Sequence, residues 1–386
     1  MALKRDRATV LAYVGLGLLG FVLNGFGPVL SNLQDELGMT RSEVARYPSF
    51  YAVGWLVTSA VGHRVMKRIG RNLALRLSAI GLGASAGLMG MALSEVMVGA
   101  AAIVMGAAGA VMMMVVQAFL ADHHGSSAVA AIAEANAVSS SAAIAGPLAI
   151  ALAIAVGLGW AAGFAVPALV MGGLLGLGLG ATIPRSVEPS VSLADPPDIQ
   201  SDRWFGSWIA IVLVVALEFA FVFWATDYME SIGGIAKAAA AALTAMFFIG
   251  MAVARALGVA VMRLLDPRRR ALLGALTVSA VGFAIFWGSP FVAGTPVWAA
   301  LGLLVAGVGV AYLFPLSFLG LVGVLVGGSD KASARASLGS GVAIGLAPLV
   351  LGVAADSLGL TRALLLIPLL ISAAAVNVAM TYPRES

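Results

Sequence analysis

Stretches of about 20 consecutive apolar residues recur along almost the whole chain, and this feature limits its possible folds most strongly. Of the 386 residues, 61 % are hydrophobic and only 10 % are charged, whereas an average soluble domain has roughly 25 % charged residues. A water-soluble fold of this size cannot cover its surface with so few polar groups. Lipid accepts apolar surface without cost. The composition therefore excludes a soluble enzyme and a nucleic-acid-binding protein.

We predict an all-α membrane protein with twelve membrane-spanning helices in two groups of six. The first group is Thr9–Leu30, Val44–Val65, Leu73–Leu93, Val96–Ala121, Ala131–Val156 and Trp160–Ile183, and the second is Phe205–Ala225, Ala240–Leu265, Ala271–Trp287, Val297–Leu319, Ser337–Ala355 and Thr361–Met380. The stretch between the groups is rich in Pro, Ser and Asp and has no apolar period, which predicts a solvated linker. The predicted domains are a six-helix bundle over 1–183, a cytoplasmic linker over 184–204 and a second six-helix bundle over 205–386.

The distribution of lysine and arginine predicts the orientation in the membrane. Assigning alternate loops to opposite sides puts seventeen of these residues on one side and four on the other, with Arg255 left inside the membrane. Positive residues concentrate on the cytoplasmic side of membrane proteins. We therefore expect a multi-pass protein of the inner (plasma) membrane, with both termini and the linker in the cytoplasm. The apolar N-terminal run continues for a full span without a small-residue cleavage site, so it predicts a retained helix rather than a signal peptide.

The second half of the chain repeats features of the first at a nearly constant offset. Gly54, Gly62 and Met66 recur 196 residues later, and Gly106 and the pair Pro147–Leu148 recur 201 residues later. Two bundles related in this way enclose a central cavity at the bilayer midplane in many secondary transporters. The repeat therefore predicts two pseudosymmetric bundles and a transport function.

With these features the chain resembles the major facilitator superfamily over essentially its full length. The family's loop between helices 2 and 3 typically reads Gly-x-Leu-x-Asp-Arg-x-Gly-Arg, and the corresponding stretch here, HRVMKRIGRN, keeps Arg68, Gly70 and Arg71. Lys67 stands where the family has the aspartate, and His63 where it has the first glycine. The resemblance implies the twelve-helix fold, a monomer, and a part for the three retained residues in a cytoplasmic gate.

A second motif in helix 5 resembles the family's antiporters. The stretch AIAGPLAIA retains the pair Gly146–Pro147, with alanine or isoleucine at the flanking positions. The pair is weak support for export rather than uptake.

Three ionisable residues inside predicted spans are candidate functional groups, because charge within a membrane is energetically expensive. Glu218 lies about 20 Å into helix 7, where a carboxylate is either paired or protonated, and so it is the first candidate for proton coupling. Arg255 lies about 12 Å into helix 8 and keeps its charge. It therefore needs an acid or an anionic substrate, and Glu218 and Glu134 are the alternative internal partners. The alternative for Glu218 is a neutral contact between helices, and for Arg255 it is snorkelling towards the cytoplasm.

Glu134 and Arg335 occupy equivalent positions of the repeat, 201 residues apart. Both fall about one turn from the predicted cytoplasmic surface. An acid and a base at such positions would suit a cytoplasmic latch, and Glu134 is also the second candidate for proton coupling. Ordinary solvation of two helix ends explains the pair nearly as well.

Several further polar or aromatic residues are candidates for binding substrate. They are Asn24, Tyr47, Tyr51, Trp55, Asn136, Trp224, Asp227 and Tyr312, in addition to Arg255. Tyr47, Tyr51 and Trp55 repeat every four residues and so share one helix face. The competing interpretation is that aromatic residues near helix ends anchor the protein at the membrane interface.

Together these patterns predict a proton-coupled secondary active transporter that moves a small organic solute, anionic or zwitterionic, by alternating access. The alternatives are a drug or metabolite efflux antiporter and a lipid-handling transporter of the same family. The chain lacks the phosphate-binding sequence Gly-x-x-x-x-Gly-Lys-Ser/Thr, so ATP is not expected to drive transport directly. With no cysteine and only three histidines, too few and too badly spaced for a metal cluster, we expect neither an enzyme, nor a metal site, nor a cofactor. The expected partners are substrate, protons and the bilayer, and no nucleic acid.

Overall fold

The computed structural model describes residues 5–92, 94–124, 127–178, 203–264, 268–324 and 328–382. Within these ranges the secondary structure is helical, with no strand, which confirms the all-α prediction. Ten helices are long and apolar enough to cross a membrane, and Trp160–Gly176 is a shorter apolar helix. The predicted linker over 184–204 lies outside the described residues except for its last two positions.

The chain divides into two compact units. The first comprises Met1–Met39 and Arg46–Val191, and the second comprises Thr40–Ala45 and Ser192–Ser386. The short segment Thr40–Ala45 thus belongs by its contacts to the second unit, although the residues on both sides of it in the chain belong to the first.

The first half of the chain contains eight helices. They are α1 (Arg7–Asn24), α2 (Phe26–Leu37), α3 (Arg41–Val44), α4 (Arg46–Ile69), α5 (Arg71–Met91), α6 (Glu95–His124), α7 (Ala128–Ala155) and α8 (Trp160–Gly176). The second half contains α9 (Arg203–Ser231), α10 (Lys237–Leu264), α11 (Arg268–Gly288), a 3₁₀ turn (Ser289–Phe291), α12 (Thr295–Val310), α13 (Leu313–Val324), α14 (Gly328–Leu358), α15 (Leu360–Ala363) and α16 (Leu366–Thr381).

Three of the predicted spans are interrupted, and each interruption has the same cause. The breaks separate α1 from α2, α12 from α13, and α15 from α16, and the second helix of each pair carries proline at its third position: Pro28, Pro315 and Pro368. Proline has no N–H group, so the carbonyl four residues earlier loses its helical hydrogen bond. Those carbonyls belong to the residues at the breaks. The sequence analysis treated the three spans as continuous, which was wrong in this detail.

The internal repeat reappears as two equivalent helix–helix contacts, α4 with α6 and α10 with α12, which we call seams. In the first unit, a Cβ on Gly54 would collide with the carbonyl oxygen of Ile103, and a Cβ on Gly106 would collide with that of Tyr51. These glycines let α4 and α6 approach until their backbones touch.

In the second unit, α10 and α12 meet in the same way. A Cβ on Gly250 would collide with the carbonyl oxygen of Leu304, and a Cβ on Gly307 would collide with that of Phe247. Both seams pair positions at the offsets of 196 and 201 that the sequence repeat gives, including the contacted residues. The repeat is therefore a repeat of contacts and not a coincidence of abundant glycine.

Candidate functional site

Glu218 occupies an exceptional position on α9, the most enclosed of the apolar helices. Among the sixteen residues Val214–Met229, fifteen are buried and Glu218 alone is partly exposed. The residues before and after it along the helix are apolar, and Glu218 itself keeps an intermediate exposure. Arg255 on α10 is near enough to act on its carboxyl group through charge.

Arg255 lies on the inward face of α10 and is nevertheless exposed. The residues 11, 7 and 4 positions before it, Thr244, Phe248 and Met251, are at most 4 % exposed, and this spacing keeps all four on one side of a helix. The outward side carries Val253, which is 48 % exposed and about 200° away around the helix axis. Arg255 is therefore exposed although it continues the packed side of α10.

Tyr312 borders the same region of the second unit. It lies at the break between α12 and α13, and its hydroxyl group donates a hydrogen bond to the carbonyl oxygen of Ala254, the residue before Arg255. The break frees backbone groups at this level and turns the Tyr312 side chain towards α10. Glu218, Arg255 and Tyr312 form the candidate site: an acid that can carry a proton, a permanent cation and a phenol group.

Two other predicted binding residues on α9 lie outside this site. Asp227 is nine residues after Glu218 and so about 180° away around the helix. The side chain of Trp224 is 3 % exposed, and its indole Nε1 has no hydrogen-bond partner. Buried donors in native structures are almost always paired. We therefore expect the indole N–H to donate to a ligand or a water molecule.

Asp227 is instead engaged by Arg41 from α3. The Arg41 side chain donates from Nε to Oδ2 of Asp227 at 2.7 Å and from Nη2 to Oδ1 at 3.1 Å. A further bond from Nη2 reaches the Ser231 hydroxyl at 3.1 Å. A two-pronged arginine–carboxylate pair is the strongest and most directional type of ion pair. Because the Asp227 side chain is only 9 % exposed, this contact is a structural clamp rather than a vacant substrate ligand.

Asp356 on α14 completes the clamp by capping α3. Its carboxylate oxygens accept the backbone N–H groups of Arg41 and Ser42 at 2.9 and 2.8 Å. A negative charge at a helix N-terminus satisfies donors that have no partner within the helix. One turn earlier, Gly352 leaves room for the segment, because a Cβ there would lie 2.8 Å from the Arg41 carbonyl oxygen. We call the contacts of Thr40–Ala45 with Asp227, Ser231, Gly352 and Asp356 the α3 clamp.

Glu134, the other candidate proton carrier, pairs inside the first unit. Nε and Nη2 of Arg5 donate to its two carboxylate oxygens at 2.8 and 2.6 Å, and the Tyr13 hydroxyl donates at 3.1 Å. These hydrogen bonds and the opposite charge raise the pKa of Arg5 above its ordinary value. Glu134 therefore ties the start of α1 to α7.

Arg335, at the equivalent repeat position, anchors the first helix of the second unit. Its guanidinium lies 4.3 Å from the ring centre of Trp204 at the start of α9, a distance typical of a cation–π contact. The Trp208 indole also donates to the Arg335 carbonyl oxygen at 3.0 Å. The two repeat-related residues thus hold the first helix of their own unit. The latch between Glu134 and Arg335 stays a prediction.

A second contact near Arg5 secures the N-terminus of α1. Asp6 accepts hydrogen bonds from the Thr9 N–H at 2.9 Å and from the Thr9 hydroxyl at 2.7 Å, and it contacts Nε2 of His123 at 2.7 Å. Partial burial disfavours the charge on Asp6, but these contacts with Thr9 and His123 outweigh it and lower its pKa from 3.8 to about 2. The end of α6 therefore takes part in holding α1 through His123.

We expect Asp6→Ala to cost about 1 kcal/mol, because it removes a helix cap, and to lower the melting temperature by about 2 °C. The folded pKa of Asp6 lies below its ordinary value, so its charge stabilises the fold fully above pH 3.8 and progressively less as the pH falls towards 2. Thermal melts of purified protein should show a constant difference from pH 5 to 8 and a shrinking one below pH 4. Asp6→Asn, which keeps an oxygen acceptor, is the matched control and should lose less. A difference that grows on acidification would contradict the assignment.

The tyrosines predicted on helix 2 lie in the interior of the first unit. Tyr47 is buried and donates to the Met39 sulfur at 3.4 Å. Tyr51 is fully buried between Phe26 and Trp55, with the Trp55 ring centre at 5.9 Å, and its hydroxyl group has no hydrogen-bond partner. Trp55 itself is partly exposed. The buried Tyr51 hydroxyl group thus lies next to the partly exposed ring of Trp55.

The remaining predicted residues are dispersed. Asn24 donates to the carbonyl oxygen of Gly20 at 2.8 Å within its own helix, and Asn136 is exposed on α7. Of the predicted gate residues, Arg68 is exposed, Gly70 begins α5 at φ +82°, and Arg71 pairs with Asp122 at 2.7 Å. The first unit therefore keeps these gate residues close to a carboxylate at the end of α6.

Sequence reasoning missed three residues with clear structural roles. Arg41 and Asp356 were not considered, although the helix-start pattern Thr40-Arg-Ser-Glu43 is visible in the sequence and its capping box forms. Gln117 lies exposed on α6, with its amide bonded to the Met113 sulfur at 3.1 Å. Its position as a polar residue inside a predicted apolar span could have identified it.

The fold and the site define a class of protein: two apolar helical units with an internal repeat, and an acid and an arginine on two apolar helices of the second unit. Residues 12–325 match the model of the Major Facilitator Superfamily. The chain belongs to this family. It is accordingly a multi-pass membrane protein and a transporter, not an enzyme, as the sequence analysis predicted.

Solved structures support the same fold. A bacterial homolog of the human lysosomal transporter Spinster, inward-facing and unoccupied, superposes with a TM-score of 0.77 at 12 % identity, covering 98 % of this chain and 96 % of that one. The nucleoside transporter NupG gives 0.79 at 10 % identity, with 98 % and 100 % covered. A D-xylose–proton symporter gives 0.73 at 14 %, with 97 % and 96 % covered. None of the curated proteins compared with the chain matches it.

Proposed function

We propose that the protein is a proton-coupled secondary transporter that moves a small organic anion or zwitterion across the inner membrane by alternating access. The observation that carries this proposal is that Glu218, the one partly exposed residue in an otherwise buried stretch of α9, lies within electrostatic range of Arg255. A carboxyl group among apolar side chains can exist in either protonation state, and a neighbouring guanidinium makes the charged state accessible. One of the similar structures is a proton symporter, so the fold accommodates this coupling.

In the proposed cycle, Arg255 holds the negative group of the solute and Glu218 holds the proton. When Glu218 is protonated, Arg255 loses its internal counter-charge and attracts an anion. When Glu218 releases the proton, its carboxylate competes for Arg255 and the anion leaves. Tyr312, bonded next to Arg255, positions α10 at the site. Proton and anion would therefore travel in the same direction.

Export is the second candidate direction, and one contact favours it. A Cβ on Gly146 would lie 2.8 Å from the Phe21 carbonyl oxygen and 3.3 Å from the Gly25 nitrogen, so the Gly146–Pro147 pair packs against the break between α1 and α2. This is the pair that resembles the antiporter motif. In an antiporter, proton entry would accompany solute exit, and the sign of proton movement on adding solute distinguishes the two directions.

The test begins by identifying a solute. A library of metabolites and antibiotics is screened by thermal shift at two pH values, because a compound that binds the folded protein raises its melting temperature. Binding compounds are then assayed in proteoliposomes under an imposed pH gradient. We expect Glu218→Gln to abolish uphill accumulation of the compound and to leave downhill exchange largely intact.

The matched control is Glu95→Gln, which neutralises an exposed carboxylate at the start of α6 and should accumulate solute like the wild type. Unchanged accumulation by Glu218→Gln would refute the proton role. Loss of exchange together with accumulation would make Glu218 a binding residue only.

A further inference from the structure

Arg76 on α5 has an unusual environment for a charged residue. Its Nε atom is buried and has no hydrogen-bond partner among the described residues. Burying an unpaired polar atom costs about 1–3 kcal/mol, and more for a charged group. A ligand that brings an acceptor to this guanidinium would offset part of this cost.

The guanidinium lies flat against the end of α8. A Cβ on Gly178 would collide with Nη2 and Cζ of Arg76 and lie 2.8 Å from Nε. Gly178 also has a φ of +67°, which side-chain-bearing residues rarely adopt. The negative end of the α8 dipole attracts the cation, which explains its location but provides no acceptor for Nε.

This location adjoins the outer, apolar surface of the first unit. Leu73, Leu77 and Ile80 on α5 are 46–52 % exposed, and Leu177 at the end of α8 is 75 % exposed. Arg76 lies at the edge of the α5 stripe, about 60° from Leu73 around the helix. A ligand for the guanidinium at this position would touch both charge and hydrocarbon.

Two other arginines share the feature. Within the described part of the chain, Nε of Arg269 and Nη1 of Arg335 are also buried without a hydrogen-bond partner, although the Arg335 guanidinium contacts the Trp204 ring. All three arginines lie at helix ends that we predict to be cytoplasmic. Arg41, at the end predicted to be external, is fully engaged by Asp227. Unpaired arginine nitrogens are thus concentrated where lipid headgroups of the inner leaflet would lie.

We propose that Arg76 binds the phosphate of an anionic phospholipid at the surface where the end of α8 meets α5. Arginine donates two parallel hydrogen bonds to phosphate oxygens and sheds its hydration more readily than lysine does. The exposed leucines beside it hold the acyl chains, which a free phosphate ion lacks. Basic pockets between membrane helices on the cytoplasmic side bind acidic headgroups in this way. The inference does not depend on the proposed transport function.

The test uses thermal shift of detergent-purified full-length protein with three probes: phosphatidylglycerol, phosphatidylcholine and inorganic phosphate. We expect phosphatidylglycerol to raise the melting temperature of the wild type by about 2–4 °C, and phosphate to have no effect. Arg76→Gln should lose at least half of this shift. Arg7→Gln, which removes an exposed arginine from the start of α1, is the matched control and should keep it.

A photo-crosslinking residue in place of Leu177 provides a second readout with Arg76 intact, in case Arg76→Gln does not fold. Phosphatidylglycerol adducts should exceed those from the same residue in place of Val96, which is 83 % exposed and predicted to lie at the opposite membrane face. An undiminished lipid shift in Arg76→Gln, equal adducts at the two positions, or an equal shift with inorganic phosphate would overturn the proposal.

Discussion

Gly106→Ala is expected to remove most of the folded protein. Its new Cβ would collide with the Tyr51 carbonyl oxygen and lie 2.7 Å from the carbonyl carbon. Because these are backbone atoms, the clash cannot be relieved by rotating a side chain, and α4 and α6 must separate. Overpacking a core costs about 1–3 kcal/mol when side chains can adjust, and we expect about 3 kcal/mol or more here. Against a total stability of about 5–15 kcal/mol, the loss should appear as a lower melting temperature and a low yield of monodisperse protein.

The control is Gly274→Ala on α11, where a Cβ would meet nothing within 4 Å. Alanine is the better helix former by about 0.5–1 kcal/mol, so this variant should melt at or above the wild-type temperature. Gly307→Ala, at the repeat-equivalent seam, should fail like Gly106→Ala. If Gly106→Ala melted at the wild-type temperature, the seam would not be close-packed.

Asp227→Ala should release the α3 clamp. The variant leaves the Arg41 guanidinium, only 23 % exposed, without its carboxylate, and removing one partner of a buried ion pair costs about 3–5 kcal/mol. The result would be a segment Thr40–Ala45 that detaches frequently from the second unit. Since the chain contains no cysteine, a single cysteine in place of Ser42 reports this directly. We expect its reaction with a water-soluble maleimide to accelerate at least tenfold.

Ser231→Ala removes only the weaker contact of Arg41 and should leave the labelling rate within about twofold. Exchanging the charges, with Arg41→Asp and Asp227→Arg together, should recover part of the slow labelling that either substitution alone loses. If Asp227→Ala labels at the wild-type rate, the ion pair does not hold the segment, and Asp356 alone would be its anchor.

The helices were predictable because a membrane-spanning helix is determined by the composition of one continuous stretch of sequence. A span needs a continuous apolar run, so the predicted segments Leu73–Leu93 and Ala131–Val156 fall close to α5 and α7. The three proline breaks were also predictable in principle, because each follows from the position of one residue. The repeat was found mainly from glycine and proline, and the close backbone contacts of Gly54, Gly106 and their repeat equivalents explain why glycine carried the signal.

The site was harder to predict from the sequence, because its members come from elements far apart in the chain. Glu218 and Arg255 were identifiable since charge stands out within an apolar span. The partner of Asp227 was not, because Arg41 lies 186 residues away and nothing local links them. Glu134 was proposed as a partner of Arg255 or Arg335, and it bonds to Arg5, which lies before the start of the predicted first span. Sequence patterns identify which residues are costly to bury, but not which of them satisfy one another.

The two glycine seams bear on how this architecture can persist while its residues change. Each seam joins main-chain atoms to main-chain atoms, so it requires glycine at two positions and places no demand on the identity of the residues opposite them. Tyr51 and Ile103 in one seam and Phe247 and Leu304 in the other accordingly differ in chemistry while presenting the same carbonyl oxygen. Substitutions can therefore change the side chains that the helices present to a solute, while the distance between the helices stays the same.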